Sequence, residues 1–450
     1  MEEQSKNNIK LKKPESEETK KFTLASASPS TESYKYTHSL DSDYNLINDI
    51  NLEEVKSVDK NNEEIISEVV VKEKLEEVAQ KVSPKKRKKS IVINILMLVI
   101  NITLVALLAS SLFRSAEDAS IANLIAVQGN RLNYLWYALL LFVIVMIADM
   151  LFIASTLKAS TGKFRFWLAY RTSSIGKYYE AITPLSAGGQ PAQILYMAKR
   201  NVSPGVATSV PIIRVSILNL LTILLSLILF IFVVPKIEAP NSFLAILYGI
   251  LKILAYIGVI FNSLYLVVML IIASSKTLGR SLARNVVKLG YKLHLIKDYR
   301  TSYKKFMNQV AEYQNSIRYL KKHIWLLLST LFTVLVEIIA LASVPFVVCL
   351  AIGDITFASS ADVWRFYIEC LAKYYICYMA SAYIPLPGGT GMMEISFVIL
   401  FTSAIGSNFV VWGFLIWRLV SYYVVILQGF IQTIGDFIAG TIKKDKVLKS

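Results

Sequence analysis

Between positions 91 and 440 charge interrupts the chain so rarely that most of this stretch belongs in a lipid bilayer. Six apolar runs, at 91–113, 134–156, 207–235, 243–274, 324–353 and 408–440, are each long enough to cross. A crossing takes about 20 residues rising about 1.5 Å apiece. Only helices and closed barrels satisfy their backbone inside hydrocarbon, and continuous runs of this length select the helix. The expected fold class is an all-α polytopic membrane protein. Composition agrees, with 54% hydrophobic residues, 18% charged residues and a mean hydropathy of +0.50, against about a quarter charged in soluble chains. The first 90 residues hold 17 Lys and Arg against 18 Asp and Glu, and the remaining 360 hold 31 against 14. Collagen-like, disulfide-stapled and nucleic-acid-binding classes are excluded.

Residues 1–90 are polar and poor in aromatic groups, so a disordered tail is expected there. Within it Ile65, Val69, Leu75, Val78 and Val82 fall near helical spacing. A basic run, Pro84-Lys-Lys-Arg-Lys-Lys, precedes the first span and places the tail in the cytoplasm, where it meets anionic lipid headgroups. The segment 275–323, with 12 Lys and Arg and two acids, is expected on the same side as a basic amphipathic connector. Its second half spaces Tyr303, Phe306, Val310, Tyr313, Ile317 and Leu320 by three and four. The basic tail 441–450 is cytoplasmic too. Loops at 114–133, 236–242 and 354–362 are poor in cations and belong outside. Both termini thus lie inside a multi-pass protein of the plasma membrane. Cys349, Cys370 and Cys377, and the scattered His38, His294 and His323, form no ligand pattern. No metal, cofactor or nucleic-acid partner is expected.

Two segments, 164–197 and 363–401, are too apolar for loops and too broken for simple spans. The first contains Tyr178-Tyr179, Pro184, Gly188-Gly189 and Gln190; the second contains Tyr374-Tyr375, Pro385, Pro387, Gly388-Gly389 and Gly391. Proline ends a helix and glycine permits a reversal, so both read as re-entrant helical hairpins. Each follows a span with one acid, Asp149 or Glu337, and precedes a span with one arginine, Arg214 or Arg418. The spans between them make the two units an inverted-topology repeat, the pattern that points to a transporter's central site. Charges within spans cost roughly 2.5–3.5 kcal/mol each on insertion scales, so these four should be inward and partnered. A polar pathway and a pair of helix-locking salt bridges both satisfy that demand. Glu394, beside the second break, is a site candidate or a helix cap. Gln190 holds the comparable place in the first hairpin, and amides exposed at such breaks suit an anionic headgroup. The substrate-binding set is thus Arg214, Arg418, Glu394, Gln190, Gly188, Gly189, Gly388 and Gly389, with Asp149 and Glu337 as charge partners. The two tips are expected to meet and line a cavity with Arg214, Arg418 and Glu394.

The stretch Pro385-Leu-Pro-Gly-Gly-Thr-Gly-Met-Met-Glu394 resembles the PxPGGxGxxE signature of the lysylphosphatidylglycerol synthase transmembrane region family, also called flippase-like. Pro184, Gly188-Gly189-Gln190, Arg214 and Arg418 are similar to the same pattern, and the resemblance covers about residues 90–440. It implies a lipid-handling membrane domain. In bifunctional members that half translocates aminoacylated phosphatidylglycerol, and a separate soluble domain transfers the amino acid. Here ten residues follow the last span and the first 90 are too polar for such a domain, so translocation of an anionic, aminoacylated or lipid-linked species is expected in preference to synthesis. Participation in lysylphosphatidylglycerol formation and small-solute transport are the alternatives.

Overall fold

A computed structural model describes residues 120–237, 242–292 and 298–448, together with isolated positions between 96 and 114. The tail 1–90, its amphipathic segment and most of the 91–113 span lie outside the described residues. The rest is helical, and among the described residues there is no strand.

In chain order the α-helices are α1 (Ile121–Gln128), α2 (Leu135–Thr161), α3 (Phe166–Ile182), α4 (Gly189–Ala198), α5 (Pro204–Phe232), α6 (Ser242–Ser274) and α7 (Lys276–Lys292). They continue with α8 (Tyr299–Lys322), α9 (Ile324–Ile352), α10 (Ser360–Ser381), α11 (Met392–Ile405), α12 (Val410–Arg418) and α13 (Val424–Leu448). Six segments are long and apolar enough to cross a membrane: Ile121–Thr161, Gly205–Lys236, Ala245–Ile272, Ile324–Ile352, Pro387–Ile405 and Val410–Asp436. The protein is a multi-pass membrane protein.

Five of these match spans expected from sequence. The sixth, Pro387–Ile405, lies in the segment read as the second hairpin. Its α-helical part, α11, has 14 residues and rises about 21 Å, short of a hydrocarbon core of about 30 Å. The expected loop 114–133 is largely structured instead: α1 and a 3₁₀ segment, Gly129–Tyr134, run directly into α2. Likewise the expected tail from 441 continues α13 through Leu448.

The centre of the fold is the pairing of α2 with α9, the most extensive contact between any two helices. They run antiparallel, because Arg131, just ahead of α2, donates to the Gly353 carbonyl at the C-terminal end of α9 at 2.9 Å. One buried cluster joins α2, α5 and α9 through Phe152, Ile153, Ile213, Val334 and Ile338. A second joins α9, α10, α11 and α12, where Phe397 stacks on both Phe401 and Trp417. Around this centre α3 packs on α4 and α13, and α10 packs on α6.

Both broken segments turn by the same device. Thr183 (φ −108°, ψ 146°) and Leu386 (φ −109°, ψ 145°) leave the helical region in the same way, each followed by a 3₁₀ turn opening with proline. Two left-handed residues come next, Leu185 and Ser186 in the first break, Gly388 and Gly389 in the second. The backbone counterpart of Gly388-Gly389 is therefore Leu185-Ser186, not Gly188-Gly189. The tyrosine pairs also differ in register. Tyr179 stands five residues before its turn proline and Tyr375 twelve, a shift of seven that equals about two helical turns.

The connector 275–323 forms α7 and α8. The apolar side of α8 is docked on protein, with Val310, Tyr313 and Leu320 buried and Ile272 of α6 in the same cluster as Val310 and Tyr313.

Candidate functional site

The breaks at Pro184–Ser186 and Pro387–Gly389 meet in the structure. Tyr422, after α12, closes the junction by donating its hydroxyl to the Ala181 carbonyl at 2.8 Å. Its ring lies close against the second break, so that a Cβ on Gly388 would come within 2.3 Å of it. Tyr422 reaches this position because residues Leu419–Tyr423 form a π-helical turn, a widening often found at functional sites.

Beside the junction lies a cavity of about 190 Å³. Lys177, Glu180 and Ser186 of the first broken segment face it, Gly388 of the second faces it, and Ser421 and Tyr422 complete its polar wall. Phe142, Val145, Leu341 and Val344 of α2 and α9 supply the apolar wall.

Behind that wall is a buried charge network. Arg214 of α5 donates through Nε to Asp149 of α2, through one terminal nitrogen to Glu337 of α9 at 2.9 Å, and through the other to Glu180 of α3 at 3.3 Å. Lys177 bonds Glu337 at 2.5 Å, and Ser173 donates to Asp149. Four helices are thus tied by one guanidinium, whose planar fork suits several carboxylates at once. Asp149, Glu180 and Glu337 carry three negative charges against two positive on Arg214 and Lys177. Glu180 holds the longest of these bonds and is the most exposed acid of the set, at 28% against 0% for Asp149 and 5% for Glu337.

The second break has its own pair. Arg418 donates through Nε to Glu394 at 2.5 Å and through a terminal nitrogen to the Gly388 carbonyl at 3.0 Å, with its guanidinium 4.4 Å from the centre of the Tyr422 ring. The other oxygen of Glu394 accepts the Gly391 N–H at 2.6 Å, completing the start of α11. Glu394 is therefore both a cap and an ion-pair partner.

Of the residues expected at the site, Gly388 lines the cavity. Arg214 and Arg418 each stand one hydrogen bond behind it, through Glu180 and the Gly388 carbonyl respectively. Asp149, Glu337 and Glu394 pair with those arginines. Gly188 and Gly189 serve close packing: a Cβ on Gly189 would come within 2.2 Å of the Glu180 side chain, and one on Gly188 within 2.6 Å of Thr183. Gln190 is half-buried in the first turn of α4. Gly389 packs against Ser381, and Gly391, at φ +91°, makes the strained entry to α11. Pro184 and Pro387 open the two turns, while Pro385 precedes the second. Glu337 meets Arg214 and not the arginine that follows it in its own half.

Sequence reasoning over spans missed Lys177 and Glu180. Their spacing of three puts both on one helix face, and that was the available signal. It also missed Lys373, buried on α10, bonded to Glu369 at 2.7 Å and 5.7 Å from the centre of the Phe401 ring.

No curated relative matches the chain. A family model does match, over residues 95–429, and its span takes in both breaks, the charge network and the cavity. The chain belongs to the family of the lysylphosphatidylglycerol synthase TM region.

Proposed function

We propose that this protein translocates a phospholipid between leaflets, passing the polar headgroup through the junction of the two breaks while the acyl chains stay in the bilayer. The observation that carries this reading is the cavity walled by both broken segments, with a cation and an acid facing it. At about 190 Å³ it is smaller than the pockets that enclose drug-sized ligands, a volume suited to a headgroup rather than a whole lipid. Lys177 is placed for a phosphate, and Glu180, the acid in surplus, for an ammonium on the same headgroup. Interrupted helices at a repeat interface are where transporters bind polar cargo. The antiparallel α2 and α9, the matched geometry of the two turns and the 10-residue α4 all support two re-entrant hairpins in an inverted repeat. In that arrangement both termini are cytoplasmic, the first hairpin enters from the cytoplasm of a plasma membrane and the second from outside.

The family match also favours a second reading, a part in lysylphosphatidylglycerol synthesis. One experiment separates them. Purified protein in proteoliposomes with a fluorescent phosphatidylglycerol should make inner-leaflet label accessible to an added reductant, and Lys177→Gln should slow this at least tenfold. The same liposomes given lysyl-tRNA should form no lysylphosphatidylglycerol. Product without label movement would replace translocation by synthesis.

A further inference from the structure

The helices α7 and α8 share a basic composition but have different surroundings. α8 turns its apolar side into the protein, whereas α7 buries Gly279 and Val287 and leaves Leu278, Val286 and Leu289 between 46% and 57% exposed. Those three, at steps of eight and three, share one face. Arg280, Arg284, Lys288 and Lys292, at successive steps of four and all exposed, form a cationic stripe on another side. A single residue, Ser275, separates α7 from α6, which contains a candidate span. The break there is held by Gln314 of α8, whose amide donates to the Ile272 carbonyl at 2.6 Å, and by the Ser275 hydroxyl, which accepts the Leu278 N–H at 3.3 Å. α7 therefore starts at the end of a membrane crossing and offers hydrocarbon on one side and positive charge on another.

We propose that α7 lies along the bilayer surface, its exposed apolar face in the acyl–headgroup boundary and its four cations on anionic lipid headgroups of that leaflet. Continuity with α6 sets the depth, and charge complementarity selects the lipid. The aliphatic stems of Arg and Lys cover apolar surface while their charged ends reach headgroups. This assignment does not depend on what the cavity carries.

The test uses the full chain in nanodiscs, with Leu289→Cys bearing an environment-sensitive fluorophore. Cys349, Cys370 and Cys377 are buried, so the introduced thiol takes the label. Lipids carrying a nitroxide near the headgroup should quench it, and adding phosphatidylglycerol to phosphatidylcholine should raise the seated fraction. Each surface cation contributes about fivefold to such attraction at low salt. Replacing all four with Gln should therefore abolish the phosphatidylglycerol dependence, and raising salt on the unsubstituted labelled protein should reproduce that loss if the variant fails to fold. A label reached by aqueous iodide in both lipid compositions overturns the proposal. So does a dry label that lipid nitroxide leaves unquenched, as a second copy over this face would produce. Quenching that is independent of phosphatidylglycerol overturns the headgroup assignment.

Discussion

The two breaks share a backbone path but differ in what holds them. The second is built for its shape: Gly388 and Gly389 adopt left-handed angles at no steric cost, and Arg418, Glu394 and Tyr422 lock the turn from behind. The first puts Leu185 and Ser186 into the same angles, at roughly 1–3 kcal/mol apiece for residues with a side chain. Beside it Lys177 and Glu180 line the cavity, each also paired, with Glu337 and Arg214 respectively. One break is thus a fixed wall, and in the function proposed above the other is the working surface. Strain retained where charge meets a cavity is the arrangement expected of a moving or ligand-binding element.

Five substitutions sharpen or break that contrast. The largest effect is expected at Arg214→Gln, which leaves the buried carboxylates of Asp149 and Glu337 with Lys177 as their one cation; removing one partner of a buried pair costs about 3–5 kcal/mol. Arg418→Gln should approach it, because Glu394 keeps only its bond to Gly391. Thermal unfolding in detergent should show both, and an unchanged midpoint for Arg418→Gln would remove the idea of a fixed second break. Next, Gly388→Ala must displace the Tyr422 ring and hold alanine at φ +61°, for about 2–3 kcal/mol. A crystal or cryo-EM structure of the variant should show the Tyr422–Ala181 bond broken. Glu180→Gln should change stability by less than about 1 kcal/mol, since its one bond is long and partly exposed. It should still slow movement of an amine-bearing lipid more than that of phosphatidylglycerol; equal slowing of both would deny Glu180 a role in recognition. The smallest effect belongs to Leu185→Gly, which trades relief of left-handed strain against chain entropy and should leave the midpoint within about 1 kcal/mol. A large loss there would mean that the leucine side chain, not the turn, is needed.

The positions of both breaks were legible because proline and glycine act locally. The chemistry of Asp149, Arg214, Glu337 and Arg418 was legible because charge in a span demands a partner. The partners were not. Asp149, Glu180 and Glu337 come from three helices and converge on one guanidinium, an outcome set by how α2, α3, α5 and α9 pack. No periodicity along the chain encodes it. Matching glycine pairs by eye also misplaced the repeat: Gly188-Gly189 answers to close packing of α3 on α4, while the turn itself is made by residues with side chains. Tyr374 and Tyr375 pair in sequence with Tyr178 and Tyr179 yet stand two turns farther from their break, because α10 runs three residues farther past its pair and four more residues separate its end from the turn proline.

The wide turn at Leu419–Tyr423 has a consequence for how this chain tolerates length changes. A π-turn amounts to one inserted residue, and it rotates everything after it by about 100° relative to an uninterrupted helix. Upstream of it Arg418 addresses the second break. Downstream, Gln428 donates to Tyr170 and Ser174, Gln432 to the Arg171 carbonyl, and Asp436 bridges Arg171 and Arg200. An unbroken α-helix could face one set or the other. Deleting a single residue from this turn would restore ideal helical geometry and swing the glutamines off α3, so here a more regular backbone makes a less connected protein.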